Sequence, residues 1–97
     1  MCYDVSHSSL TCEHYGYNFY QFSEKISPIT AHLHLGDARG VNGVGLQIGD
    51  GDIDFVRLGE ILAKGCPNAS FIPEIWQGHK NRGEGFWVAL ERLEKLL

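Results

Sequence analysis

The stretch ITAHLHLGDARG, residues 29–40, alternates apolar and polar side chains and then breaks into glycine. Over residues 29–35 the alternation and the β-forming side chains predict a strand. Period two puts His32 and His34 on one face and Leu33 and Leu35 on the other, towards covering helices. His34 lies nearer the carboxyl end, where parallel α/β sheets keep their active sites.

The same unit occurs on both sides of this stretch. Residues 1–6 form a strand-like run, with Asp4 and His7 in CYDVSH at its polar end. Residues 70–75, SFIPEI, predict a third strand, with Ser70, Ile72 and Glu74 on one face and Glu74 last. Pro73 sits awkwardly in it, because a central strand cannot spare an N–H.

Helices are expected between the strands. In residues 17–26 Phe19, Phe22 and Ile26 fall at helical spacing, Asn18 can cap, and Pro28 ends the run. Residues 36–51 are dense in glycine and predict a loop. Asp54 can cap the next helix, with Ile53 and Leu58 placed as a hydrophobic staple. Phe55, Leu58, Ile61 and Leu62 make its buried stripe, and Lys64-Gly65 closes it. After the polar loop WQGHKNRGEG, a last helix puts Phe86, Leu90, Leu93 and Leu97 on one face, with Glu91 and Lys95 as a supporting pair.

The predicted order, β-α-β-α-β-α, argues for parallel strands joined by right-handed crossovers, with helices outside the sheet. The 97 residues make one domain at most. Three such units are few for this architecture. A parallel sheet needs cover on both faces, and three strands leave two open edges. An eight-fold (β/α)8 barrel takes roughly 250 residues, so the chain reads as the last three βα units of one, incomplete as it stands. On that reading a required strand precedes Asp4, self-association or the rest of a barrel is the expected partner, and the chain alone should show no turnover.

The formal charge of −4 gives no electrostatic reason to expect a nucleic-acid backbone as partner. No apolar stretch approaches the roughly 20 residues of a membrane helix. Cys2, Cys12 and Cys66 are odd in number and contain no CxxC pair, so reduced thiols and a cytoplasmic location are expected.

Asp, His and Glu supply the oxygen and nitrogen donors that hold a divalent cation. Singly, a strand-end Asp is more often a helix cap and a lone His a hydrogen-bonded core residue. Three ligand types from successive strand ends point to a joint site. In the last loop Trp76, Gln77, His79, Lys80 and Arg82 precede Gly83 and Gly85. Lys80 or Arg82 there can hold a phosphate or carboxylate near the helix N-terminus, or simply face solvent.

The segments CYDVSH, HLHLGDARG, IGDGDIDF and FIPEIW resemble, in order, the closing strands of the xylose-isomerase-like barrels. That superfamily includes sugar-phosphate isomerases and epimerases and the apurinic endonucleases. The resemblance implies a divalent metal, with manganese, magnesium or cobalt favoured and zinc possible. Asp4, His34 and Glu74 would be its ligands, Glu74 would double as general acid/base, and His7 and Arg39 would contact oxygens of a sugar or sugar-phosphate substrate. A further Glu would come from the strand before Asp4. In such enzymes a cation bridging two substrate oxygens stabilises an enediolate, while carboxylates on each side of the carbon move the proton. The endonuclease branch needs an Asp-x-His pair where this chain reads Gly43-Val44-Gly45, which makes a phosphodiesterase the minor alternative. The main alternative is a non-catalytic partial-barrel module or truncated product that associates with itself or a partner.

Overall fold

A computed structural model describes residues 1–96; Leu97, expected on the face of the last helix, lies outside the described residues. Three short strands form a parallel sheet: β1 (Cys2–Asp4), β2 (His32–Leu35) and β5 (Ser70–Pro73), in the order β1-β2-β5. The registers run Cys2–His32–Ser70, Tyr3–Leu33–Phe71 and Asp4–His34–Ile72 across the sheet. Four helices complete the fold among the described residues: α1 (Val5–Tyr15), α2 (Phe19–Ile26), α3 (Phe55–Gly65) and α4 (Lys80–Leu96), the last broken near its start by left-handed backbone at Asn81, Arg82 and Gly83. A single 3₁₀ turn, Ser27–Ile29, follows α2 and carries Pro28 in its first turn.

The helices α2 and α3 form where caps and apolar spacing agree. Asn18 accepts from the Gln21 N–H at 3.0 Å and Asp54 from the Arg57 N–H at 3.1 Å, each satisfying an amide that the first helical turn leaves free. Phe19, Phe55, Leu58 and Leu62 are buried with Tyr3, Leu33 and Leu35 from the sheet. Phe22, expected in the same stripe, is exposed, and the buried position next to it is Ser23, whose hydroxyl meets Tyr3 Oη at 2.7 Å. In α4 the buried positions are Ala89 and Leu93, while Leu90 reaches the surface.

Two elements stand where a strand end and a loop were expected. Directly after Asp4 the chain enters α1, a largely polar helix framed by Asp4 as N-cap and Gly16 as left-handed C-cap at φ 75°. Within residues 36–51 lies an antiparallel hairpin, β3 (Asp37–Arg39) and β4 (Gly43–Leu46). The element order is therefore β1-α1-α2-β2-β3-β4-α3-β5-α4: mixed α/β, with a three-stranded parallel sheet and a two-stranded antiparallel one.

The parallel sheet is covered on one face only. Tyr3, Leu33 and Leu35 point into the core, whereas His32, His34, Asp4, Cys2 and Ser70 line the opposite, open face. Cover on both faces is what a sheet apolar on both sides requires. Here the alternation HLHL makes one face polar, so it can stand in water. Pro73 is resolved by the same geometry. β5 is an edge strand, and Ser70 and Glu74 donate inward to the Ala31 and Leu35 carbonyls. The alternate positions, 71 and 73, therefore face outward, and the missing N–H falls on the open edge.

Candidate metal centre

The strand registers bring the ligand-type residues together. Asp4 pairs with His34 across β1 and β2, His34 pairs with Ile72, and Glu74 follows two residues later on the same side. One donor atom from each of Asp4, His34 and Glu74 lies within 4.8 Å of the others. His34 Nδ1 stands 2.5 Å from Glu74 Oε2. Their side chains are 28%, 30% and 47% exposed for Asp4, His34 and Glu74, so the trio is reachable from solvent.

Each of the three is held by its neighbours. Asp4 Oδ1 accepts from the His7 N–H at 3.1 Å, and its Oδ2 lies 2.8 Å from His7 Nδ1. A carboxylate gripped on both oxygens keeps its orientation, which is what an outer-shell partner does for a metal ligand. Glu74 is fixed through its backbone: its N–H donates to Leu35 O at 2.8 Å, and Gly36 packs so closely that a Cβ there would sit 2.6 Å from Glu74 O. Below His34, the His32 ring lies edge-on at 5.2 Å, with its Nδ1 2.7 Å from Ser70 Oγ.

The hairpin ties the two sides of the site together. Ser6 Oγ, buried at the start of α1, donates to Asp37 O at 2.9 Å and accepts from the Gly45 N–H at 2.9 Å. Gly45 O in turn accepts from the Trp76 N–H at 2.8 Å. The segment bearing Asp4 and the segment bearing Glu74 are thus linked through β4. Behind it, the fully buried Asp37 accepts four amides: Ala38 at 2.8 Å and Ile53 at 3.1 Å on Oδ1, and Gly49 and Gly51, each at 2.9 Å, on Oδ2. This fastens the chain between β4 and α3. Gly51 is obligatory there, since an added Cβ would meet Asp37 Oδ1 at 2.5 Å.

Of the residues expected to contact substrate, His7 joins the trio through Asp4. Arg39 and Lys80 make no hydrogen bond or ion pair to it among the described residues. The Arg39 guanidinium is engaged with the Asp50 carbonyl, and Lys80 is exposed at the start of α4. Trp76, two residues beyond Glu74, is largely exposed rather than packed in the core. Burial pushes the Cys12 and Cys66 thiols up from their ordinary range, and no disulfide joins any of the three cysteines. Ser6, Asp37 and Gly45 escaped the sequence reading. Only the run Gly-Asp-Ala-Arg-Gly, with its acid between glycines, marked the place of one of them.

One imidazole and two carboxylates form a nitrogen–oxygen set suited to manganese, magnesium, cobalt or zinc rather than to a thiophilic ion. The donors converge, are deprotonatable, and leave coordination positions free on the open side, so they fit such a cation. The trio stands on the open sheet face. The roomiest cleft described, about 550 Å³, lies elsewhere, between α2 and α3, and is lined by Glu24, Ser27, Glu60 and Lys64 among others.

No helix among the described residues is long and apolar enough to cross a membrane. Compared with protein families, curated proteins and solved structures, the chain matches none of them.

Proposed function

We propose that this chain binds one divalent cation through Asp4, His34 and Glu74, and that the site belongs to a sugar isomerase or epimerase built as the closing βα units of a barrel. The observation that carries the cation reading is the convergence of three ligand atoms within 4.8 Å at the carboxyl ends of parallel strands. The isomerase reading adds the order of the four sequence motifs and the chemistry of the donors.

On this reading Asp4 and His34 hold the ion while His7 orients Asp4. Glu74, the most exposed of the three, takes a proton from the carbon beside a substrate carbonyl and returns it. The bound cation would supply Lewis-acid stabilisation of the charge that builds on the carbonyl oxygen. Arg39 and Lys80 would contact substrate oxygens or an anionic group.

A second reading is favoured by the open position of the trio: a cation-binding partial-barrel module without turnover, since Glu74 stands 47% exposed on the open face of the sheet.

Calorimetric titration with manganese, on the wild-type chain and on His34→Ala and Glu74→Gln, tests the site. One manganese per chain, lost in both variants, is expected; undiminished binding in His34→Ala would refute the assignment. The chain alone is expected to show no turnover on either reading; solvent deuterium entering a ketose at the carbon next to its carbonyl, in wild type and not in Glu74→Gln, would overturn that expectation and the module reading with it.

A further inference from the structure

His34 is the member of the trio whose side chain has the fewest holds on it. Asp4 is gripped on both oxygens by His7, and Glu74 is fixed through its backbone. The His34 ring has one polar contact among the described residues, Nδ1 to Glu74 Oε2 at 2.5 Å. That contact joins two ligands of the same site, and a cation seated between them takes its place. A histidine ligand is ordinarily oriented by a hydrogen bond from its second ring nitrogen to a carboxylate, carbonyl or water. His34 Nε2 makes none among the described residues. Once the ion is bound, another neighbour has to hold the ring.

The neighbour placed to do so is His32. Two residues back on β2 and half-buried, it stands on the same open face. Its ring meets His34 edge-on, with centroids 5.2 Å apart and planes at 87°. Edge-to-face contact at this separation is a favoured aromatic geometry, so each ring limits the tilt of the other. To either side of His34 the register sets Asp4, a fellow ligand, and Ile72. His32 is itself anchored: its Nδ1 lies 2.7 Å from the Oγ of Ser70, its register partner on β5. That bond includes no ligand, so cation binding leaves it intact. The donor atoms that converge within 4.8 Å belong to Asp4, His34 and Glu74, and His32 stands outside them.

We propose that His32, anchored by Ser70, is a positioning residue of the cation site and acts through His34. Its ring keeps the His34 imidazole turned towards Asp4 and Glu74 when the direct contact with Glu74 is given up. The inference rests on the cation reading and extends the site by one row of the sheet, a row that supplies no ligand.

Manganese calorimetry on His32→Ala, His32→Phe and Ser70→Ala tests it, beside NMR couplings that report the His34 χ1 rotamer in the cation-free chain. His32→Ala should weaken manganese about 10- to 100-fold, as loss of an outer-shell partner does, and should let the His34 ring average between rotamers. His32→Phe puts a ring back in the same place. It should recover most of the affinity and the single rotamer, which no replacement of a ligand by phenylalanine could do. Ser70→Ala removes the anchor alone and should fall between wild type and His32→Ala. Undiminished binding in His32→Ala overturns the proposal, because His34 then needs no support. Binding lost as fully in His32→Phe as in His32→Ala overturns it too, because His32 then acts through its nitrogens. If His32→Ala loses its circular-dichroism signal, Ser70→Ala decides: weaker manganese with a mobile His34 ring supports the proposal, and wild-type values for both overturn it. A wild-type chain that takes no manganese, or undiminished binding in His34→Ala, brings down the cation reading and this inference together.

Discussion

Asp4 turns both carboxylate oxygens to His7: Oδ1 accepts the main-chain N–H at 3.1 Å, and Oδ2 meets the ring Nδ1 at 2.8 Å. One side chain thereby caps α1 and stands in ligand reach of His34 and Glu74. The two duties separate by substitution. Asp4→Asn keeps an oxygen for the cap and should change stability by only a few tenths of a kcal/mol, while Asp4→Ala should cost about 1 kcal/mol. Both should weaken manganese binding. Urea titrations beside calorimetry check this; equal stability losses in the two variants would show that capping is not what Asp4 contributes.

Binding to the folded chain alone must raise its stability. With manganese at about a hundredfold over its dissociation constant, the gain should be roughly 2.7 kcal/mol. A thermal melt should rise accordingly, fall back on adding chelator, and stay unmoved in His34→Ala. His7→Ala should weaken manganese by about 10- to 100-fold without abolishing it, as loss of an outer-shell partner does. A His7→Ala chain that binds as tightly as wild type would remove His7 from the site.

Asp37 is fully buried and accepts four amides, of which those of Ala38 and Ile53 are buried too, so its replacement strands donors shielded from water. Asp37→Asn retains one carbonyl oxygen and turns an N–H₂ towards two of those donors, for an expected loss of about 3 kcal/mol. Hydrogen exchange should quicken first at Gly49 and Gly51. Stability within a few tenths of wild type would contradict the four-bond arrangement.

Tyr3 is expected to resist ionisation. Burial pushes its phenol up, against a smaller opposing pull from the Ser23 hydroxyl, from 10.0 to about 12. The folded state thus holds this proton more tightly than the unfolded one. The resulting stability is complete below pH 10 and is lost as the pH climbs through about 12. Tyrosinate absorbance should show one step near pH 12, and Tyr3→Phe should remove that late step.

Where local signals agreed, the fold was legible in the residues. Asn18 and Asp54 cap helices whose apolar positions recur at 3.6 residues, and HLHL alternates as a strand with one open face must; each needs only neighbours within a few residues. Helix α1 carried no such stripe. Val5, Leu10 and Cys12 are too few to show a period, and its only marks were the frame of Asp4 and Gly16, the cap asymmetry that punctuates a polar helix. The hairpin of β3 and β4 was hidden because glycine density reads as a loop. What makes it a hairpin is Asp37, Ser6 and Trp76 reaching it from distant parts of the chain.

The sequence by itself determined which side chains could act as ligands and on which face of each strand they stand, because strand parity depends on nothing beyond the next residue. Only the tertiary structure decided that Asp4 and His34 share one register level and that Glu74, two residues past Ile72, comes within ligand reach of both. It also decided that Arg39 is engaged with Asp50, and that Pro73 spoils an outer edge rather than an inner one. Those outcomes depend on contacts between residues from 11 to about 70 positions apart. Such pairing is selected by burying Tyr3, Leu33 and Leu35 together, which no local propensity encodes.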